Sequence, residues 1–200
     1  MTTVTKHDLR RERTRTSLED AAWRHFLGDG FDRTTVAAIT ESCGVTERTF
    51  FRHFDSKEAV LFGNWRSELG VLASSIKQSQ SGIPILDAVE EAILALVERY
   101  EDDYERNVIR ARLMAESEAV ASYERRVIHR EWEDTITSAV AYRLAVNSDT
   151  DLRPRLVAGM AVAAVHAAAA IWQQEHQFTL AQYVAAAFVL IAVHDLGNTE

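Results

Sequence analysis

The segment GVTERTFFRHFDSKEAV, Gly44 to Val60, holds three phenylalanines, two arginines, a histidine and a lysine. Thr46 is of a type that caps helices, its hydroxyl accepting a hydrogen bond from a free N–H of the first turn. Val45 before this cap and Phe50 at the fourth helical position make a hydrophobic staple, which fixes where the helix starts. Phe50 and Phe54 lie four apart on one face and are core candidates, whereas Glu47, Arg48, Thr49, Phe51 and Arg52 fall on other faces. Upstream, Thr35 to Cys43 reads as a short helix with Thr34 as its cap and Gly44 as its stop. Two short helices joined by a tight turn form the unit that lays its second helix in the DNA major groove.

That geometry sorts the side chains. Residues near the N-terminus of such a helix meet base edges, so Arg48, Thr49, Arg52 and Glu47 are the candidates for reading bases. The Arg48 guanidinium can pair with both acceptors of a guanine, a contact worth about 1–3 kcal/mol of discrimination. Thr35, Thr46, Phe51, His53 and Lys57, with Arg11 and Arg15 from upstream, are candidates for the phosphate and sugar backbone. Contacts of that kind position a protein without specifying sequence.

The chain around this segment has 200 residues and is 47% hydrophobic, enough for a real core. Its net charge of -8 is unevenly spread. Residues 1–57 carry ten Lys and Arg against nine Asp and Glu, leaving twelve against twenty-one for the rest. Lys6, Arg10, Arg11, Arg13 and Arg15 make a basic arm on a nearly neutral module, and the acidic remainder implies a separate task. The lone Cys43 excludes an internal disulfide, and it reads as a small buried residue with nothing to pair with. No signal-peptide pattern opens the sequence, so the cytoplasm is the expected location.

Apolar residues recur at three and four throughout, and proline occurs only at Pro84 and Pro154, so the fold is expected to be all-α. Helices are expected over about 8–27, 57–75, 84–100, 104–118, 122–146, 153–174 and 179–194. The polar run 77–82 reads as a connection. This divides the chain into a DNA-binding domain over 1–57 and a larger helical domain over 58–200, with the helix from about 57 to 75 joining them. Leu156 to Trp172 is apolar apart from His166, but it falls short of the ~20 residues of a membrane span and is rich in alanine. A buried helix and no membrane partner are expected. There is no Gly-rich phosphate loop, no G-x-S-x-G and no H-E-x-x-H, so no enzyme, cofactor or metal ion is expected. A second reading is a helical interaction or small-molecule-binding module without sequence-specific DNA binding, favoured only by the overall acidity.

Residues 34–61, TTVAAITESCGVTERTFFRHFDSKEAVL, resemble the DNA-binding signature of the tetracycline-repressor (TetR) family. The signature runs T-V-x-x-I-A-x-x-A-G-V-S-x-x-T-x-Y-x-x-F-x-S-K, and Thr35, Val36, Ile39, Gly44, Val45, Thr49, Phe54, Ser56 and Lys57 match it. Thr40 and Cys43 replace small alanines, Thr46 replaces a serine cap, and Phe51 replaces a tyrosine whose hydroxyl bonds a phosphate. The resemblance implies a three-helix helix-turn-helix domain followed by a helical ligand-binding and dimerisation bundle. It implies a transcriptional regulator, commonly a repressor, that binds a palindromic operator as a homodimer through its last two helices. Small residues in 158–170 and 185–187 suit such close helix packing. The resemblance also implies a pocket for a small molecule, here a hydrophobic one. Trp65, Tyr104, Met114, Trp132, Met160, His166 and Trp172 are its candidate lining, with Arg110, Glu116 and His129 behind them. Aromatic and Met residues at helical spacing are also ordinary core.

Overall fold

The computed structural model describes residues 6–63, 65–101, 104–175 and 177–193, with the backbone alone for 6, 7, 101, 104 and 193. Among the described residues every regular element is helical: α1 Lys6–Gly28, α2 Val36–Ser42, α3 Glu47–Phe51, α4 Trp65–Gln78, α5 Ile85–Glu101, α6 Tyr104–Glu116, α7 Glu118–Tyr123, α8 His129–Leu144, α9 Arg153–Trp172 and α10 Leu180–Val193. The all-α reading holds. Contacts divide the chain into two compact units, one running to Gly63 and taking in Leu113–Tyr123, the other formed by the chain between Gly63 and Leu113 and by the chain from Glu124 onward. The boundary read from sequence after residue 57 therefore moves to Gly63, and the first unit gains a distant segment that composition does not mark.

In the first unit, Leu18, Ala22 and Phe26 of α1 are buried with Phe31, Ile39, Phe50, Phe54 and Leu61. Their four-residue spacing on α1 is what lets one helix face close over α2 and the segment 58–62. Phe26 and Phe31 lie with ring centroids 4.9 Å apart, and Phe50 and Phe54 5.3 Å apart. The expected helix over 57–75 is broken: Glu58–Phe62 forms a 3-10 turn, and Gly63 comes next with φ 63°. Ala59, Val60 and Leu61 are all buried, and one face of an α-helix does not bury three consecutive side chains. The returning segment buries Leu113, Ser117 and Val120. Ser117 Oγ donates to Asp32 Oδ1 at 2.7 Å, and Tyr123 stacks on Phe62 with centroids 5.6 Å apart.

In the second unit, α8 packs on α4 and α9, α9 on α10, and α10 on α5. Leu69, Leu72, Ile76, Val89, Ile93, Ile136 and Val140 fill the space between them. Arg66 of α4 grips Glu131 of α8 at two points, from Nε and Nη2, each at 3.1 Å. The helix expected over 122–146 is composite. It begins as α7, passes through a π-helical turn at Glu124–Ile128, and continues as α8. Pro154 sits in the first turn of α9, where its missing N–H has no partner to lose. By length and apolarity α9 passes for a membrane span. Val157, Ala158, Ala161, Val162, Ala164, Ala168 and Trp172 are nonetheless buried along it, as in the core helix of a bundle.

Candidate nucleic-acid interface

Thr35, rather than Thr34, caps α2: its Oγ1 accepts from Ala38 N at 3.1 Å. Thr34 is buried and its hydroxyl donates to Gly30 O at 2.8 Å. The chain reverses through Cys43, Gly44 and Val45, with Gly44 N donating to Glu41 O and Val45 N to Thr40 O. Gly44 has φ 63°, a backbone state that costs an ordinary residue about 1 kcal/mol or more. Cys43 is half-buried, and its Sγ lies 3.3 Å from Ser17 O and 3.6 Å from Ser17 Oγ. It therefore joins the turn to α1, where the sequence offered it no partner. Thr46 caps α3, accepting from Thr49 N at 3.3 Å and meeting Thr49 Oγ1 at 3.1 Å.

This scaffold seats α3 by Phe50, which is fully buried. Glu47, Arg48, Phe51 and Arg52 are then exposed and Thr49 is half-exposed, so the base-reading candidates share an accessible short helix. Thr35 and Thr46 are exposed too, and the Thr35 hydroxyl, which accepts from the backbone, keeps its own hydrogen to donate. Arg11 is exposed on α1.

Three phosphate candidates are placed differently from the expectation. Lys57 Nζ donates to Phe31 O at 2.7 Å and Thr34 O at 2.8 Å, and lies 4.2 Å from the Phe31 ring centroid. Two of its three donors hold the loop before α2, so it is a latch within the unit. Arg15 donates to His53 O at 3.1 Å and Gly63 O at 3.0 Å, pairs with Glu19 at 3.1 Å and lies over the Phe54 ring. It clamps the end of α3 to α1. His53 is half-buried, with Nε2 enclosed and without a hydrogen-bond partner. Burial, then the charges of Arg52, Arg11 and Arg15, hold its pKa below the ordinary 6.5, with Glu12 opposing. A neutral enclosed ring is a poor phosphate ligand. Sequence could not show these roles, because the carbonyls that Lys57 and Arg15 bond lie 23 to 48 residues away.

Residues 18–62 match the bacterial regulatory proteins of the tetR family, and residues 83–194 match the MftR C-terminal domain. The chain belongs to the TetR family. Over 182 residues it is 27% identical to MftR of Mycobacterium tuberculosis, a regulator named for mycofactocin biosynthesis, covering 91% of each chain. Over 152 residues it is 34% identical to the HTH-type transcriptional regulator TcmR of Streptomyces glaucescens, covering 72% of this chain and 66% of TcmR. The fold matches that of SmeT in its triclosan complex, with TM-score 0.62 at 21% identity over 90% of this chain and 91% of SmeT. It also matches Thermus thermophilus FadR in complex with lauroyl-CoA, with TM-score 0.58 at 18% identity over 93% and 97%. The relatives are transcriptional regulators, and no enzyme family is indicated.

For this TetR-family chain, the candidate effector residues Trp65, Trp132, Met160, His166 and Trp172 fall in the second unit. Trp65 and Trp172 are buried as core, Trp132 and Met160 are half-buried in the same unit, and Met114 belongs to the other unit. The side chain of Tyr104 lies outside the described residues. An open depression of about 490 Å³ is lined by α1 residues alone, from Leu9 to Arg24, and by none of these seven. Arg110 is held by Tyr100 Oη at 3.0 Å and Asn107 Oδ1 at 2.7 Å, which fits a structural role. Glu116 is exposed. His166 is exposed rather than buried in its apolar helix, and it meets His129 and Glu124.

Proposed function

We propose that the chain is a ligand-responsive repressor that binds a palindromic operator as a homodimer and is released by a small hydrophobic effector. The observation that carries the reading is α3, seated by a buried Phe50 with Arg48 and Arg52 exposed four residues apart. Arg48 and Thr49, with Glu47 and Arg52, read base edges; Thr35, Thr46, Phe51 and Arg11 track the backbone. Two copies joined through α9 and α10 offer two such helices, and half-sites one DNA turn apart need them about 34 Å apart. DNA as the partner makes the cytoplasm the place of action.

Release requires an effector that binds one arrangement of the dimer better than the arrangement that fits the operator. The SmeT structure holds triclosan and the FadR structure lauroyl-CoA, which supports an apolar ligand class for a chain of this fold. Trp132 and Met160, half-buried in the helical unit, are the first lining residues to test. The early residues of α6 belong to one unit and its last turn to the other. Ser117 comes directly after that turn and bonds Asp32, in the loop before α2.

Genomic fragments retained by the purified protein should share a palindrome, and affinity for it should fall steeply with salt, as phosphate neutralisation demands. Retention of no duplex above non-specific binding would refute the reading. It would favour the helical interaction module instead.

A further inference from the structure

Glu124, His129 and His166 come together in the second unit. One ligand atom from each, two imidazole nitrogens and a carboxylate oxygen, lies within 4.8 Å of the others. His166 Nε2 is 3.3 Å from Glu124 Oε1, and the His129 and His166 rings meet edge-on with centroids 4.4 Å apart. Glu133, one turn beyond His129, has Oε1 3.6 Å from His129 Nε2.

The backbone makes this grouping. Glu124 and His129 are five residues apart, and on a regular α-helix they would point about 140° away from one another. Glu124–Ile128 is π-helical, and the wider turn of i→i+5 bonding sets residues five apart one above the other. Such turns inserted between α-helical stretches recur at functional sites. The third side chain arrives from α9, where His166 stands alone among alanines and valines with its side chain 42% exposed.

We propose that Glu124, His129 and His166 bind a divalent first-row transition ion of the Zn²⁺ and Ni²⁺ class. Two imidazoles and one carboxylate suit these ions, whereas Mg²⁺ and Ca²⁺ take all-oxygen sets. Bonds of about 2.0–2.2 Å bring tetrahedral ligand atoms to about 3.4 Å from one another. The group must therefore draw in by about 1 Å or a little more, within reach of rotation by one exposed and two half-buried side chains. Three ligands leave a position open, which Glu133 or a solvent oxygen can fill. An ion here ties the π-helical turn to α9. The site stands independently of the operator reading.

The test uses the full untagged chain, stripped with chelator and titrated with Co²⁺ by visible absorption and with Zn²⁺ and Ni²⁺ by calorimetry. One ion per chain is expected, with Zn²⁺ displacing Co²⁺. His166→Gln and Glu124→Gln are each expected to lower affinity at least tenfold while metal-free helix content and melting temperature stay those of the parent. His129→Gln is a third arm. Failure of all three ions to bind stoichiometrically overturns the proposal, as does unchanged affinity in both His166→Gln and Glu124→Gln. Operator binding is read on the metal-free protein, so either reading can fail without the other.

Discussion

Phe51 is 53% exposed and meets Phe50 edge-on, with centroids 5.4 Å apart. It occupies the place where the family pattern has a tyrosine, on the face that carries Arg48 and Arg52. Phe51→Tyr should restore a phosphate donor and tighten operator binding by about 2- to 10-fold, the worth of one hydrogen bond of 0.5–1.5 kcal/mol. Competition footprinting on the selected operator measures this, and equal affinity would place Phe51 away from DNA. Arg48→Ala should cost about 1–3 kcal/mol against the preferred base pair only, flattening discrimination at that position. His53 gives a pH test whose sign is set by its environment. Its pKa is lowered in the folded state, so folding favours the neutral ring. The stability that this ring supports is complete above the ordinary value of 6.5 and declines as pH falls through it towards the folded-state value. Parent melting temperature should therefore fall more below pH 6.5 than that of His53→Gln, and parallel curves would refute the assignment.

Between the helices, Lys57 is the clearest case of a residue whose type suggested one role and whose placement gives another. Lys57→Met keeps the stem against Phe31 but removes the ammonium donor from the Thr34 carbonyl and leaves that of Phe31 with the N–H of Thr34 alone. A loss of about 1–3 kcal/mol is expected for such groups, read by urea denaturation. Operator base preference should be unchanged, because Lys57 bonds the loop before α2 and not α3. A phosphate-contacting Lys57 would show the opposite, parent-like stability with a shallower salt dependence. The elements themselves were legible where their signals are local. Thr46 announces α3 because a cap and its first turn are neighbours in sequence, and Gly44 announces the reversal because only glycine accepts its backbone angle cheaply. The 3-10 turn at Glu58–Phe62 and the π-helical turn at Glu124–Ile128 were not legible. Each is chosen by what it packs against, and helical periodicity cannot tell these variants from an α-helix.

For the assembled protein, α9 and α10 bury one face and leave apolar side chains on another. Leu156, Ile171, Val189 and Leu190 are among the exposed large hydrophobics, Val189 at 58% and Leu190 at 46%. A homodimer would cover them. Leu190→Glu should yield a monomer in sedimentation velocity while helix content is retained, and operator affinity should fall at least tenfold because two half-sites no longer bind as one. A dimer of undiminished affinity would put the interface elsewhere.

Helical class, the Thr46 cap of α3, its buried Phe50 and the arginines exposed along it all arise from interactions spanning about four residues, which periodicity and residue type record directly. The family was legible in the same short stretch. The internal duties of Lys57 and Arg15, the inclusion of Leu113–Tyr123 in the first unit, and the meeting of Glu124, His129 and His166 needed the folded chain. They join residues up to tens of positions apart, and whether a charged side chain spends its donors inside or on a partner depends on carbonyls that no local pattern locates.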